Sequence, residues 1–375
     1  MQYKDAFFAL VRAGLFPVHG EGLMVHDFSN VDWGEVYRLA EEQSVIGLIA
    51  DAIDRFKFQV SGFKIPQEWA LQFIGQTLQI EQRNKAMNEF VARLISLLRK
   101  NDIYAILVKG QGIAQCYEKP LWRASGDVDL LLSEDNYEKA KEILIPLALT
   151  VDREFTSFKH LGMRMEGDFE VELHGTMRSR LSKRIDRGID EVQNDVFYGG
   201  SVRSWQNGST QVFLPAPDED VIFVFTHILH HFFIEGVGLR QICDWCRLLW
   251  TYKDKIDVAL LEKRLRKMDL MSEWKAFAAL AVNTLGMPES AMPLYDPASK
   301  WSRKAEKILA FVLETGNFGH NRHRERPNSY IAKKAQSLWR HTKDNLRQMA
   351  IFPLDSLRVW WGVFTNGLYE AVRGK

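Results

Sequence analysis

The hydrophobic pattern of this chain changes its period in the middle, and this change limits the folds that are open to it. Up to about residue 100 the apolar side chains recur at helical spacing, most clearly between Gln79 and Lys100. Short apolar runs typical of strands follow at 103–108 and 128–132. Beyond Pro217 the helical spacing returns. The sequence therefore predicts an α+β fold in which helical regions flank a small mixed β-sheet.

This pattern divides the chain into three regions. We expect an N-terminal helical region at 1–100, an α/β core at 101–214 and a C-terminal helical region at 215–375. The length of 375 residues agrees with two to three domains, at about 150 residues per domain.

Within the core, the sequence predicts two helices and a hairpin. The segments 111–117 and 137–145 have helical character, and each is followed by a proline that would stop it. Alternating runs at 159–165 and 169–174 are joined by a Glu-Gly-Asp turn, which is a hairpin signal. A further run at 210–214 would add an edge strand to the sheet.

The charge balance and the cysteine content disfavour some classes of protein. Lys and Arg number 49 and Asp and Glu 48, so a net charge of +1 disfavours a protein that coats nucleic acid, although the basic segment 320–326 keeps RNA open as a partner. Three cysteines cannot form a disulfide framework, so we expect a cytoplasmic location. The apolar segment 221–234 is too short to span a membrane and predicts a buried helix, with no membrane partner.

Two aspartates, Asp127 and Asp129, lie at the start of the second strand-like run of the core, one just before it and one within it. Alternate residues of a strand point to one face, so their carboxylates would lie together. Carboxylates this close resist joint ionisation unless a cation is present, and Mg²⁺ with oxygen ligands resolves the conflict. The later hairpin adds a second polar strand face, which carries three reactive side chains: Glu170, Glu172 and His174.

A glycine-rich turn precedes this pair and indicates a phosphate site. Gly110, Gln111 and Gly112 stand between a strand and a helix start, where backbone N–H groups and the helix dipole favour an anion. Lys109 and Arg123 could neutralise further phosphate charge, although Lys109 could equally end a strand with its ammonium group in water.

Together these motifs resemble the signature of an uncharacterised nucleotidyltransferase family in the polymerase-β superfamily. The resemblance is carried by 107–112, 117–120, Arg123, 126–132 and Glu172-Leu-His174, and by Leu239-Arg-Gln-Ile-Cys-Asp244 within a helix. It covers about 100–180, with a looser match from 215 to about 249.

The resemblance implies metal-dependent transfer of a nucleoside monophosphate from a nucleoside triphosphate to a hydroxyl acceptor, with release of pyrophosphate. Asp127 and Asp129 would hold Mg²⁺ or Mn²⁺, and Glu172 would be the third carboxylate and a candidate general base, with Glu170 as a rival. The glycine-rich turn would cradle the triphosphate. The acceptor, whether a small molecule, a protein or an RNA end, is not indicated.

Other motifs have simpler interpretations. A second Asp-x-Asp, Asp218-Glu219-Asp220, precedes a helix and predicts N-terminal capping and compensation of the helix dipole. His227, His231 and Glu235 would share one helix face, which indicates a packed or substrate-facing helix more than a zinc site. The Cys243–Cys246 pair lies within a helix and is interpreted as core.

Two other functional interpretations stay open. The chain could keep the fold and act as an inactive nucleotide-binding or interaction protein. Alternatively, it could be a helical scaffold in which the first Asp-x-Asp only satisfies a turn; replacing Asp127 and Asp129 by Asn would then leave nucleotide affinity unchanged.

Overall fold

The computed structural model describes residues 2–16, 28–59, 63–154, 159–316 and 330–372. The N-terminal region is helical, as predicted. It contains α1 (Tyr3–Leu15), α2 (Trp33–Glu42), α3 (Ile46–Gln59) and the long α4 (Gln67–Lys100). Apolar residues of α4 at helical spacing, such as Phe90, Leu94 and Leu98, are buried, which explains why this segment folds as a helix.

The central region forms the mixed sheet that the sequence predicts. Its strands are β1 (Ile106–Val108), β2 (Asp127–Leu131), β3 (Thr150–Val151), β4 (His160–Met165), β5 (Phe169–His174), β6 (Val202–Asn207) and β7 (Thr210–Pro215). The strand order is β3-β4-β5-β2-β1-β7-β6. β2 pairs parallel with β5, and β1 pairs parallel with β7; the other neighbouring pairs are antiparallel. Among the described residues, this region also has three α-helices, α5 (Gly110–Ala114), α6 (Glu134–Leu144) and α7 (Lys183–Tyr198), and two short 3-10 helices at Pro120–Trp122 and Ile145–Leu147.

The predicted hairpin is confirmed as β4–β5, but the prediction of an edge strand at 210–214 is wrong. The strand there, β7, lies inside the sheet between β1 and β6. The outer strand is β6, which forms a second hairpin with β7 across the turn after Asn207. The two turn residues are Gly208 and Ser209, and Gly208 has a φ of 61°. Glycine at the first position of a two-residue turn is a hairpin signal, because a type II′ turn needs a positive φ there. The sequence thus contained the evidence for this hairpin.

The remainder of the described chain is helical. It comprises α8 (Pro217–Ile234), α9 (Leu239–Thr251), α10 (Val258–Met268), α11 (Met271–Asn283), α12 (Ser299–Thr315), α13 (Tyr330–Met349) and α14 (Pro353–Val372). The apolar segment 221–234 belongs to α8 and is mostly buried, as predicted. Within the described ranges, no helix has the length and apolar character that crossing a membrane would need. The cytoplasmic location stays a prediction. The basic segment 320–326 lies outside the described residues.

Two hydrophobic clusters hold the fold together, one on each side of the sheet. The smaller cluster packs Val171 and Leu173 of β5, with Leu130 of β2, against α4 and α6. The larger cluster joins α1 and α3 to α8, α9 and α11. Because the larger cluster contains residues from all three predicted regions, the division at 100 and 214 stays a prediction.

The acidic residues at the start of α8 confirm one of the two roles predicted for the second Asp-x-Asp, compensation of the helix dipole, but not the other, N-terminal capping. Asp218, Glu219 and Asp220 lie in the first turn, where negative charge stabilises the helix dipole. However, the N-cap residue is Ala216, and no side chain caps the helix. Instead Asp220 pairs with Arg203 and Glu219 with Arg264. This pair of aspartates therefore has a structural role.

Gly47 of α3 lies against the chain that leads into the site. A Cβ atom at this position would be 1.9 Å from the carbonyl oxygen of Trp122. We expect Gly47→Ala to destabilise the protein by about 1–3 kcal/mol, because backbone atoms must move apart. Gly75→Ala in α4 is the control, since its Cβ would meet no atom within 4 Å. Denaturant unfolding of both variants measures the difference; equal stabilities would contradict this packing.

Candidate functional site

The parallel pair β2–β5 brings the predicted carboxylates together. Its register places Asp129 beside Glu172 and Asp127 beside Glu170. Carboxylate oxygens of Asp127, Asp129 and Glu172 all lie within 4.8 Å of one another, close enough to hold a metal ion. The apolar residues that alternate with them are buried in the smaller cluster on the opposite face. The alternation of β2 and β5 thus separates the core from the candidate site.

Glu170, the rival third carboxylate, lies at the edge of this arrangement. It is exposed, whereas Asp129 is 2% exposed. Among the described residues, the carboxylate cluster that could hold a metal contains Glu172 and does not contain Glu170. The geometry therefore favours Glu172.

Two cationic or hydrogen-bonding side chains already contact Asp129. Lys109 Nζ lies 2.8 Å from Oδ1 of Asp129, and His174 Nε2 donates to the same oxygen at 2.8 Å. Burial opposes the charged form of Lys109, but Asp129, Glu172 and Asp127 raise its pKa above the ordinary value. Burial likewise opposes the charge of His174, and its hydrogen bond to Asp129 raises its pKa. The site thus stabilises positive charge.

Lys109 reaches this position through an unusual backbone. It is the N-cap residue of α5, with φ 58° and ψ −144°. Such a conformation costs a non-glycine residue on the order of 1–3 kcal/mol and is concentrated at functional sites. It turns the chain sharply from β1 into α5 and leaves the ammonium group beside Asp129. Of the two interpretations of Lys109, a site residue fits and a solvated strand end does not.

Glu172 contacts two histidines. Its Oε2 lies 3.2 Å from Nε2 of His160 and 3.4 Å from Nε2 of His174. Burial alone would raise the pKa of Glu172, but these two contacts and the charges of His174 and Lys109 lower it. The histidine rings stack with their centroids 4.9 Å apart. Glu172 is consequently held in its ionised form.

Asp127 has the opposite electrostatic environment. The negative charge of Asp129 and burial raise the pKa of Asp127 to about 6, and Lys109 only partly offsets this rise. The close carboxylates therefore repel each other, as the Asp-x-Asp spacing predicts.

The glycine-rich turn is divided between the site and the core. Gly110 has φ +36° and lines the cavity beside the carboxylates, together with Lys109. The Gln111 side chain is buried; it donates to Asn88 and accepts from Ser125. A Cβ at Gly112 would lie 2.8 Å from Leu214, so a glycine allows α5 to pack closely there. Gln111 and Gly112 are not among the residues that line the cavity.

Arg123 lines the cavity, but its charge is already paired. Its guanidinium forms two hydrogen bonds with Asp244 of α9, at 2.9 Å and 2.6 Å, and donates to Ser125 Oγ at 3.0 Å. Tyr117 donates to the same aspartate at 2.8 Å. Burial disfavours the charged guanidinium, but Asp244 raises the pKa of Arg123. Arg123 thus joins the sheet region to α9, and its role in phosphate binding stays a prediction.

These groups form one wall of a cavity of about 420 Å³. Other walls come from the segment 176–180 and from the helices α8 and α9. His227 and His231 of α8 line it, with Glu235 at the end of the row. The helix face predicted to be substrate-facing is therefore turned toward the carboxylates.

The histidines of α8 form a hydrogen-bonded row. Nε2 of His231 lies 3.0 Å from Nε2 of His227, and Nδ1 of His231 lies 3.0 Å from Oε2 of Glu235. Burial lowers the pKa of His227 far below its ordinary value, so its imidazole is neutral. The three residues are not among the groups of described residues whose ligand atoms could surround a metal ion. Cys243 and Cys246 are fully buried, which confirms them as core.

Sequence reasoning missed two residues of the site, His160 and Arg240. His160 pairs with His174 across the β4–β5 hairpin. This register follows from the Glu-Gly-Asp turn, so counting back from the turn would have found it. Arg240 lines the cavity one helical turn before Asp244. The i, i+4 spacing of the two residues was the available signal.

The model of the uncharacterised nucleotidyltransferase family matches residues 29–286. This range contains the whole sheet, the three carboxylates and both cavity-lining helices, and it is more than half of the chain. No curated protein and no solved structure matches the chain at a significant level. The chain therefore belongs to the uncharacterised nucleotidyltransferase family, and nucleotidyl transfer is its class of reaction.

Proposed function

We propose that this protein transfers a nucleoside monophosphate from a nucleoside triphosphate to a hydroxyl acceptor and releases pyrophosphate. Asp127, Asp129 and Glu172 are assigned as ligands of Mg²⁺ or Mn²⁺. The observation that carries the proposal is their convergence: three carboxylates from two parallel strands lie within 4.8 Å of one another on the wall of a 420 Å³ cavity. Family membership supplies the reaction class.

The residues present suit a hard divalent ion. All three donors are carboxylates, and oxygen is the ligand that Mg²⁺ and Mn²⁺ prefer. The pKa of Asp127 is raised mainly because Asp129 repels its negative charge, and a bound cation would relieve this repulsion. When bound, such an ion neutralises phosphate charge and increases the acidity of an acceptor hydroxyl.

The side chains of the protein orient and neutralise the reactants in this proposal. Lys109 places a partly buried positive charge beside Asp129, where it would face the phosphates. His160 and His174 hold Glu172 ionised and fix its orientation. The acceptor oxygen bonds to the α-phosphorus, the bond from that phosphorus to pyrophosphate breaks, and the hydroxyl proton passes to water.

The predicted general-base role of Glu172 has less support than its role as a ligand. A carboxylate with a lowered pKa is a weak proton acceptor. We therefore assign Glu172 to metal binding, and its role as a base stays a prediction.

Label transfer tests the proposal. The purified protein is incubated with cell extract, Mg²⁺ or Mn²⁺, and each of four nucleoside triphosphates labelled at the α-phosphate. We expect label on one class of acceptor (small molecule, protein or RNA) and its loss when EDTA removes the metal. Metal-dependent nucleotide binding without transfer would instead identify a binding protein that has lost turnover. The absence of both would overturn the proposal.

The third carboxylate can be identified by a matched pair of variants. Glu172→Gln should reduce label transfer by about 100-fold or more, because it removes a charged ligand. Glu170→Gln changes the same chemistry two residues away on the same strand face, but at an exposed position outside the carboxylate cluster. It should stay within about twofold of the unmodified protein. The reverse result would assign the role to Glu170.

A further inference from the structure

The cavity contains a second arginine, the partly buried Arg240, which differs from Arg123 in its pairing. Arg240 lies in the first turn of α9 and lines the cavity. Its Nη1 donates to the carbonyl oxygen of Ala124 at 2.7 Å, while its Nε is buried without a partner. Over the ranges that the structure describes, no carboxylate lies within ion-pair distance of Arg240, whereas Arg123 has Asp244.

This arrangement is costly without an anion. Burial lowers the pKa of Arg240, and the neighbouring charge of Arg123 lowers it further; the charges of Asp244 and Asp127 offset only part of this decrease. Taking a guanidinium out of water requires compensation by hydrogen bonds and a counter-ion, and a phosphate supplies both in a geometry that fits the guanidinium fork. A ligand with phosphate groups would therefore complete the environment of Arg240.

The backbone of α9 cannot supply this binding itself. The N–H groups that begin the helix are already taken: Gly238 donates to the side chain of Gln241, and Leu239 donates to that of Gln43. The Arg240 N–H donates to the carbonyl oxygen of Gln43 at 3.3 Å. Among the described residues, the free donors on this side of the cavity are thus side-chain groups, Nε of the charged Arg240 and Nε2 of the neutral Gln241, and not the helix terminus.

The position of Arg240 also suits a nucleotide held at the carboxylates. Asp129 raises the pKa of Asp127, and the charge of Arg240 partly offsets that rise, so the two side chains are close enough to interact electrostatically. Asp244 lies four residues further along α9, and its two hydrogen bonds to Arg123 fix this helix against the sheet region. Arg123 thereby determines where Arg240 lies.

We infer that Arg240 binds the polyphosphate of the nucleoside triphosphate, and that Arg123 acts as a positioning residue through Asp244. This inference rests on the proposed function, because it assigns a residue to the nucleotide of that same site. In this inference Arg240, and not Arg123 as the sequence predicts, makes the direct contact with the phosphates.

The test compares binding of magnesium tripolyphosphate and of magnesium nucleoside triphosphate by the full chain, using calorimetry. Arg240→Gln should raise the Kd of both ligands about 10- to 100-fold and raise KM in label transfer, since a charged hydrogen-bonding group is lost. Arg240→Lys should recover part of the affinity, because it restores the charge without the fork. Thermal melting of each variant checks that it is folded.

Arg266→Gln is the control. Arg266 of α10 does not line the cavity, and its guanidinium donates two hydrogen bonds to Glu262. We expect the affinity of this variant for both ligands to stay within about twofold of that of the unmodified protein. Unchanged affinity in Arg240→Gln, or an equal loss in Arg266→Gln, would overturn the inference. The proposed function would still stand if the unmodified protein transfers label. If the unmodified protein binds neither ligand, the inference and the proposed function both fail.

Discussion

Replacing Asp127 by Asn is expected to reduce transfer of the α-phosphate label by about 1,000-fold or more. The change removes one charged metal ligand from the carboxylate cluster. A bound metal stabilises the transition state of phosphoryl transfer by several kcal/mol, and each loss of about 1.4 kcal/mol lowers the rate tenfold. Asp127→Asn, Asp129→Asn and the double variant are compared with the unmodified protein in the same assay. Nucleotide binding in the presence of Mg²⁺ is measured in parallel.

The two single variants should differ in stability although both lose activity. Asp127→Asn removes a carboxylate that Asp129 repels, so the fold should lose little. Asp129→Asn removes the partner of Lys109 and of His174, so it leaves a buried ammonium group without its counter-ion. Asp127→Asn is therefore the cleaner probe of chemistry.

Asp218→Asn is the control, because Asp218 belongs to the second Asp-x-Asp of the chain and accepts a hydrogen bond from the Asp257 N–H at 2.8 Å. It should leave label transfer unchanged. Full transfer by folded Asp127→Asn would contradict the assigned metal ligands and favour the scaffold interpretation.

Much of the sheet and of its polar face could be predicted from local patterns. Strands of period two with a Glu-Gly-Asp turn fix the register of a hairpin, and that register puts Glu172 and His174 on one face. The alternation in Asp127-Val-Asp129 likewise fixes which face the carboxylates share. What local pattern could not give is the neighbour of each strand. The pairing of β1 with β7 joins segments about 100 residues apart. Because of this pairing, β7 lies inside the sheet and not at its edge, where the sequence predicts it.

The same limit explains why the sequence predicts a direct phosphate contact for Arg123 as well as for Lys109. A lone arginine near an Asp-x-Asp is a reasonable ligand for phosphate until its partner is known. That partner, Asp244, lies 121 residues further along the chain, and no pattern within either segment connects them. Strand alternation predicted the Asp127–Asp129 pair, and the family resemblance predicted Glu172 as the third carboxylate. The pairing of the charged side chains in the cavity was not predictable, because it depends on how α9 packs on the sheet region.

The pairing of Arg123 with Asp244 predicts the second large effect, this time on stability. Arg123→Met should destabilise the protein by about 3–5 kcal/mol, since it leaves the buried carboxylate of Asp244 without its cation. The double variant Arg123→Met/Asp244→Leu should recover most of that loss, because two apolar side chains can replace a buried ion pair at little cost. Denaturant unfolding of the single and double variants measures both changes.

The double variant also separates positioning from phosphate binding. If Arg123 only fixes α9, a double variant that restores the position of the helix should retain most of its affinity for magnesium tripolyphosphate, because Arg240 is still present. If Arg123 contacts the phosphates directly, the affinity should fall about 10-fold or more even when stability is recovered. Recovery of stability with loss of affinity would therefore return the phosphate contact to Arg123, whereas recovery of both would leave that contact with Arg240.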